Sequence, residues 1–267
     1  MTAPVASNPT VLVAGGDRHL GPIVTALTAL GARVVLQAQS HEELERAGAV
    51  AAAFSGVEVL DTDVRSFRAA DHLVAGLAGH GGLDVLLTPP ILTSNGPLIE
   101  LDKTGWRDAL TAHQKRAVGL ARAAARAFVA QGRGGRVVTF SRSDTFRSRG
   151  VEAAAFSAAM LSLTSAIAAP LREHRVTANC LVLGDALAPS PDSPAAKDMV
   201  AELVAHLCGP DGEQVNGRFF YASTSDLGLY SVPLAIADPH AMVRFGAAAS
   251  ETPVGELLTP LLNIGKA

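Results

Sequence analysis

Few side chains in this 267-residue sequence could do acid–base chemistry together. Ser143 stands in a loop with Arg142, Asp144, Arg147 and Arg149, and His113 lies in a long polar-to-apolar stretch opened by Trp106. A hydroxyl and an imidazole can relay a proton. Three guanidinia can hold an acidic ligand by paired hydrogen bonds. Each also has a bland reading: a satisfied loop hydroxyl, a packed imidazole, a solvated charged loop. Downstream runs Phe156-Ser157-Ala158-Ala159-Met160, whose end residues neither donate nor accept a proton at a working pH. No Tyr or Lys lies nearby to take over; the only tyrosines are Tyr221 and Tyr230. Near the start, Ala14-Gly15-Gly16-Asp17-Arg18-His19-Leu20-Gly21 is a glycine-rich turn of the kind that brings backbone amides to a phosphate. Asp63 is a further carboxylate.

These residues need elements to position them. Short apolar, β-branched runs predict strands at Thr10–Ala14, Arg33–Gln37, Val57–Leu60, Asp84–Thr88, Arg136–Phe140, Val176–Val182 and Gly217–Tyr221. Ala- and Leu-rich stretches between them predict helices at Leu20–Leu30, His41–Phe54, Ser66–Ala78, Thr104–Gln131, Ala153–Arg172 and Ala195–Leu207, with Pro170 kinking its helix. Continuous apolar strands suit a parallel sheet covered on both faces. Regular alternation predicts an α/β, Rossmann-like, doubly wound sheet of seven strands in three layers. Short linkers such as Gly31-Ala32 leave no room for a boundary, so residues 1–223 read as one domain. Residues 224–267 read as a tail packing on the same or a neighbouring subunit.

Composition narrows the partners. Hydrophobic residues make up 48%, enough for a sizeable core, and the formal charge is −3 with a pI near 6.2. No basic stripe with interleaved aromatics points to nucleic acid. No uninterrupted apolar run of about 18 residues points to a membrane span. The first ten residues lack a signal-peptide pattern. Cys180 and Cys208 are far apart and have no metal-ligand spacing, so a reducing cytoplasm is the expected setting.

Taken in order, the motifs resemble the short-chain dehydrogenase/reductase family from about Thr10 to Tyr221. The glycine-rich turn is followed by Asp63-Val64, Leu83-Asp84-Val85-Leu86, Trp106, Gly135-Arg136-Val137-Val138, Ser143, Val176-Thr177-Ala178-Asn179 and Val215-Asn216-Gly217. The resemblance implies a nicotinamide dinucleotide on the glycine turn and a Ser, Tyr and Lys catalytic set. Gly15 and Gly21 match the family's first and third glycines, and His19 stands at the middle one. An imidazole there is expected to project into the dinucleotide's space. Arg18 matches a basic contact to the 2′-phosphate of NADP, or is a solvated charge. Asp63 matches the adenine-side Asp. The Asn-Asn-Ala-Gly that the family places after the fourth strand is Thr88-Pro89-Pro90-Ile91, and Gln37-Ala38-Gln39-Ser40 offers no carboxylate for a ribose. Ser143 matches the family's Ser, and His113 stands for its helix Asn. Phe156 stands for the Tyr and Met160 for the Lys. Halohydrin dehalogenases, similar in fold, also carry a bulky ring at the middle-glycine position. The likeness supports a filled cofactor site but not their chemistry, because Phe156 and Met160 replace that set too.

Three functions follow as expectations. The first is a non-catalytic subunit or scaffold with no cofactor or weak NADP binding. It would pair with itself or with an active relative through Thr104–Gln131 and Ala153–Arg172. The second is an atypical NADPH-dependent ketoreductase, or a non-redox cyclase or dehydratase, in which Ser143 or His113 handles the proton. The third is a small-molecule sensor, with Arg142, Arg147 and Arg149 holding a small acidic ligand.

Overall fold

The computed structural model describes residues 8–16, 19–78, 81–89, 98–143, 150–184, 199–223, 226–230 and 242–243. The predicted parallel strands form as β1 (Thr10–Ala14), β2 (Arg33–Ala38), β3 (Val57–Asp61), β4 (Val85–Thr88), β5 (Gly135–Arg142), β6 (Val176–Leu183) and β7 (Phe219–Ala222). Their order is β3-β2-β1-β4-β5-β6-β7, every neighbouring pair parallel. The sheet has nine strands rather than seven. Two short tail strands, β8 (Leu227–Leu229) and β9 (Met242–Val243), add antiparallel beyond β7. The tail thus contributes to its own chain's sheet at those residues.

Both faces are covered, as the continuous apolar strands require. On one face α1 (Leu20–Ala29), α2 (His41–Ala51) and α7 (Met199–Cys208) close over a core that includes Val11, Val13, Leu36, Phe140 and Leu181. On the other, α3 (Phe67–Ala78), α5 (Arg116–Gln131) and the end of α6 (Val151–Ala168) cover Leu12, Leu86, Val137 and Ala178. Val11–Val13, Val85–Leu87 and Val137–Val138 are fully buried in central strands, as their composition predicts.

Two helices differ from their sequence expectation. The predicted Thr104–Gln131 helix is split: α4 (Lys103–Leu110) passes into a π-helical stretch at Thr111–Lys115 before α5 begins. π-Bulges of this kind concentrate at functional sites, and His113 lies within this one. The predicted Ala153–Arg172 helix ends at Ala168, so Pro170 falls in the turn beyond it and kinks nothing. Helix α6 is the one described helix long and apolar enough to cross a membrane by composition. Here it packs on β5 and β6, burying Phe156, Met160, Leu161 and Ile167.

Candidate functional site

In a doubly wound sheet, ligands bind beyond the carboxyl ends of the strands. That edge gathers Gly15 after β1, Gln39 after β2, Asp63 after β3, Pro89 after β4, Ser143 after β5 and Gly184 after β6. Among the described residues, Gly15, Asp63 and Ser143 of the sequence-predicted set therefore share one edge.

At the glycine turn, Gly15 adopts φ +84°, a conformation that glycine takes without steric cost. Its amide donates to the Gln37 carbonyl at 2.8 Å. A Cβ built on Gly15 would meet the guanidinium of Arg116 at 3.1–3.3 Å. His19 is buried and takes the N-cap position of α1 with no side-chain cap. Gly21 lies in the first turn of α1, and a Cβ there would meet nothing within 4 Å. Arg18 lies outside the described residues.

Arg116 is the residue that sequence reasoning missed. It begins α5 directly after the π-helical stretch and is 1% exposed. Its Nε donates to Gln37 Oε1 at 2.8 Å, and its Nη2 to the Gln37 carbonyl at 3.0 Å. Its Nη1 donates to both Glu43 oxygens, at 2.8 and 3.1 Å. Gln37 is oriented for this role because its own amide donates to the Thr62 carbonyl at 2.6 Å. Glu43 is brought to the end of β2 by the start of α2. Ser40 caps the helix by accepting from the Glu43 amide, and the Glu43 carboxylate accepts from the Gln39 amide at 2.9 Å. This is close to a capping box. The stretch Gln37–Ser40 itself carries no carboxylate; Glu43 brings one there from the next helix, and Arg116 occupies it. Burial pushes the Arg116 guanidinium below its ordinary pKa, against the pull of Glu43.

Asp63 is exposed and tied to Arg65, whose Nε donates to it at 2.9 Å. The Arg65 side-chain bonds, then its backbone bond, hold the Asp63 carboxyl down at about 2. Outside Arg116 lies an open cleft of about 320 Å³, lined by Gly16, Gln39, Ser40, Glu42, Glu43, Arg46, Arg65, Ala112 and His113. Gly15 and Asp63 do not line it. A second cleft of about 370 Å³ sits at the opposite edge, around Arg175, Thr177 and Asn216, away from the strand ends where such folds bind ligands.

Among the described residues, the ground where the family resemblance implies a dinucleotide is crowded. The bare α-carbon of Gly15 faces a guanidinium. Both oxygens of the one carboxylate at the end of β2 are engaged, and Asp63 is paired. Pro89 is buried after β4, while Pro90 and Ile91 lie outside the described residues.

Around the expected catalytic positions the surroundings are apolar. Phe156 and Met160 form a buried cluster with Ala117, backed by Ala159 and Leu163. The His113 ring meets Phe156 edge-on at 5.5 Å. The space left between Ala109, Leu110, His113, Glu152 and Phe156 is only about 10 Å³, no more than one water needs. Burial first, then Arg116, pushes the His113 pKa down, with Glu43 partly opposing. Its Nδ1 is buried without a hydrogen-bond partner among the described residues. Ser143 is half-buried one residue past β5. The hydroxyl that engages α6 is instead that of Ser141, which donates to the Ser157 carbonyl at 3.0 Å. Arg142 closes β5; Arg147 and Arg149 lie outside the described residues, as does Pro189–Pro194.

Residues 9–193 match the family model for short chain dehydrogenases. A hydroxyacyl-CoA dehydrogenase of Mycobacterium tuberculosis is 26% identical over 96% of this chain and 88% of its own length. A sorbitol dehydrogenase of Cereibacter sphaeroides is 27% identical over 66% of this chain and 69% of its own. Among solved structures, a short chain dehydrogenase from Mycobacterium avium superposes with a TM-score of 0.74 at 18% identity, covering 97% of this chain and 96% of its own. The strand order, the glycine turn and the match across most of the sequence agree: this chain belongs to the short-chain dehydrogenase family.

Proposed function

We propose that this chain is a non-catalytic member of its family, a subunit or scaffold that keeps the fold and has lost Tyr/Lys hydride-transfer chemistry. The observation that carries the reading is the apolar cluster of Ala117, Phe156 and Met160, with His113 edge-on to it. In an active member, the phenol pKa falls from about 10 because a nearby ammonium stabilises the phenolate. Phe156 and Met160 remove both groups at once, which is chemically coherent: a lysine left unpaired in that cluster would be costly. The crowded glycine turn supports weak or absent NADP binding. The partner would be a second copy or an active relative, docked on α5 and α6. Val118 and Val129 on α5 and Phe67 beside it are exposed. Exposed apolar residues of this kind suit burial in a symmetric assembly. The cytoplasm is the setting we assign.

The relatives' names, sorbitol dehydrogenase and hydroxyacyl-CoA dehydrogenase, set the assay. Polyols, ketones and hydroxyacyl thioesters with either nicotinamide cofactor should turn over no faster than without protein. Light scattering should report a mass above the 27.4 kDa of one chain, or an active relative should co-purify. Turnover above the protein-free rate, or a partnerless monomer, refutes the reading.

A second reading, an atypical reductase or sensor, draws on the cleft of about 320 Å³ and on His113 at its wall. Loss of any observed activity in His113→Ala or Ser143→Ala would favour it.

A further inference from the structure

We infer that Arg116 is a built-in dinucleotide-excluding residue, one that fills the crevice at the ends of β1 and β2 with the protein's own cation. The inference rests on the non-catalytic reading and names the residue that enforces it.

Arg116 comes from α5 on one face of the sheet, and Glu43 from α2 on the other. Their ion pair at 2.8 Å therefore bridges the two helical layers around the end of β1. This is the ground a dinucleotide crosses in an open α/β sheet, beside the strand where the order reverses. A glycine in such a turn lets a ligand approach the backbone closely. Here the approaching group is the guanidinium, 3.1–3.3 Å from where a Gly15 Cβ would stand. The glycine is thus still required, but for a side chain of the same molecule.

The guanidinium is not a spare anion site. Each of its three nitrogens donates to Gln37 or Glu43, and Glu43 neutralises its charge. A phosphate would have to displace a carboxylate whose two oxygens already accept from Nη1. The exclusion is therefore both steric and electrostatic. The cleft left open lies outside the pair and is lined by Glu43 itself.

The test is calorimetric titration of the full chain with NADH, NADPH and ADP-ribose. Arg116→Ala/Glu43→Gln removes the bulk without stranding a charge and opens the crevice. Arg116→Leu/Glu43→Leu neutralises the pair but keeps it filled. Both are made with and without His19→Gly. The expected result is silence from the wild type and the filled variant, and at least a tenfold gain in dinucleotide affinity in the opened one. Melting temperatures with and without about 1 mM dinucleotide read the same gain if the opened variant is destabilised, because ligand binding stabilises by mass action. An opened variant that stays silent in both backgrounds overturns the inference and leaves the non-catalytic reading standing. A filled variant that binds as well as the opened one also overturns it. Low-micromolar or tighter binding by the wild type itself overturns both.

Discussion

Arg116 also makes a stability prediction whose size can be worked out from its contacts. Truncation to alanine removes four hydrogen bonds at 2.8–3.1 Å and leaves the Glu43 carboxylate, 8% exposed, with only the Gln39 amide at 2.9 Å. Breaking a buried ion pair by removing one partner costs about 3–5 kcal/mol, mostly the penalty of the charge left behind. For a chain of this size, each kcal/mol moves the melting temperature by about 2–4 °C, so Arg116→Ala should lower it by on the order of 10 °C. Arg116→Leu/Glu43→Leu should recover most of that, because apolar replacements of buried pairs are often neutral. A double-mutant cycle by urea denaturation should therefore return a coupling of about 2 kcal/mol or more. If Arg116→Ala costs less than about 1 kcal/mol, or the two substitutions simply add, the pair is not the clasp described here.

Other outcomes follow from the same geometry. The His113 pKa is lowered in the folded state, so the unfolded chain takes up the proton first as pH falls below about 6.5. Stability is full above that value and declines below it. His113→Asn should flatten the decline in melting temperature between pH 7 and pH 5, leaving the part owed to His206, whose pKa burial also lowers. Both thiols are pushed up to about 12 by burial, so Cys180 and Cys208 should resist thiol reagents in the native protein and react once it is unfolded. Met160→Lys should destabilise by at least about 3 kcal/mol, because it places an unpaired ammonium at a site that is 1% exposed. Phe156→Tyr/Met160→Lys should not create reductase turnover while Arg116 stands under Gly15, as an NADPH-consumption assay would read.

The fold was legible because its signals are local. Val11–Val13, Leu86 and Val137 are continuous apolar runs, and only a doubly covered parallel sheet buries both faces of such strands. His19, Phe156 and Met160 were singled out by motif spacing alone, which sets them against the family's pattern. The Arg116–Glu43–Gln37 network was not, because its members lie 73 and 79 residues apart and each looks ordinary alone. The hints were a glutamine inside the buried β2 run, a Ser40-x-x-Glu43 capping pattern, and a charged residue at the head of an Ala-rich helix. Helix boundaries slipped for a physical reason too. Apolar periodicity does not distinguish α from π winding, so the extra residue at Thr111–Lys115 was hidden. The short β8 and β9 carry too few residues for a periodic signal.

The central claim is that this chain keeps the family's sheet without its dinucleotide. The most direct measurement is the melting temperature of the wild-type protein in about 1 mM NADH or NADPH. A ligand at about 100 times its Kd stabilises by about 2.7 kcal/mol, a rise of roughly 5–11 °C for a chain of this length. The account predicts no rise beyond scatter with either cofactor. A rise of that size with either one would contradict it.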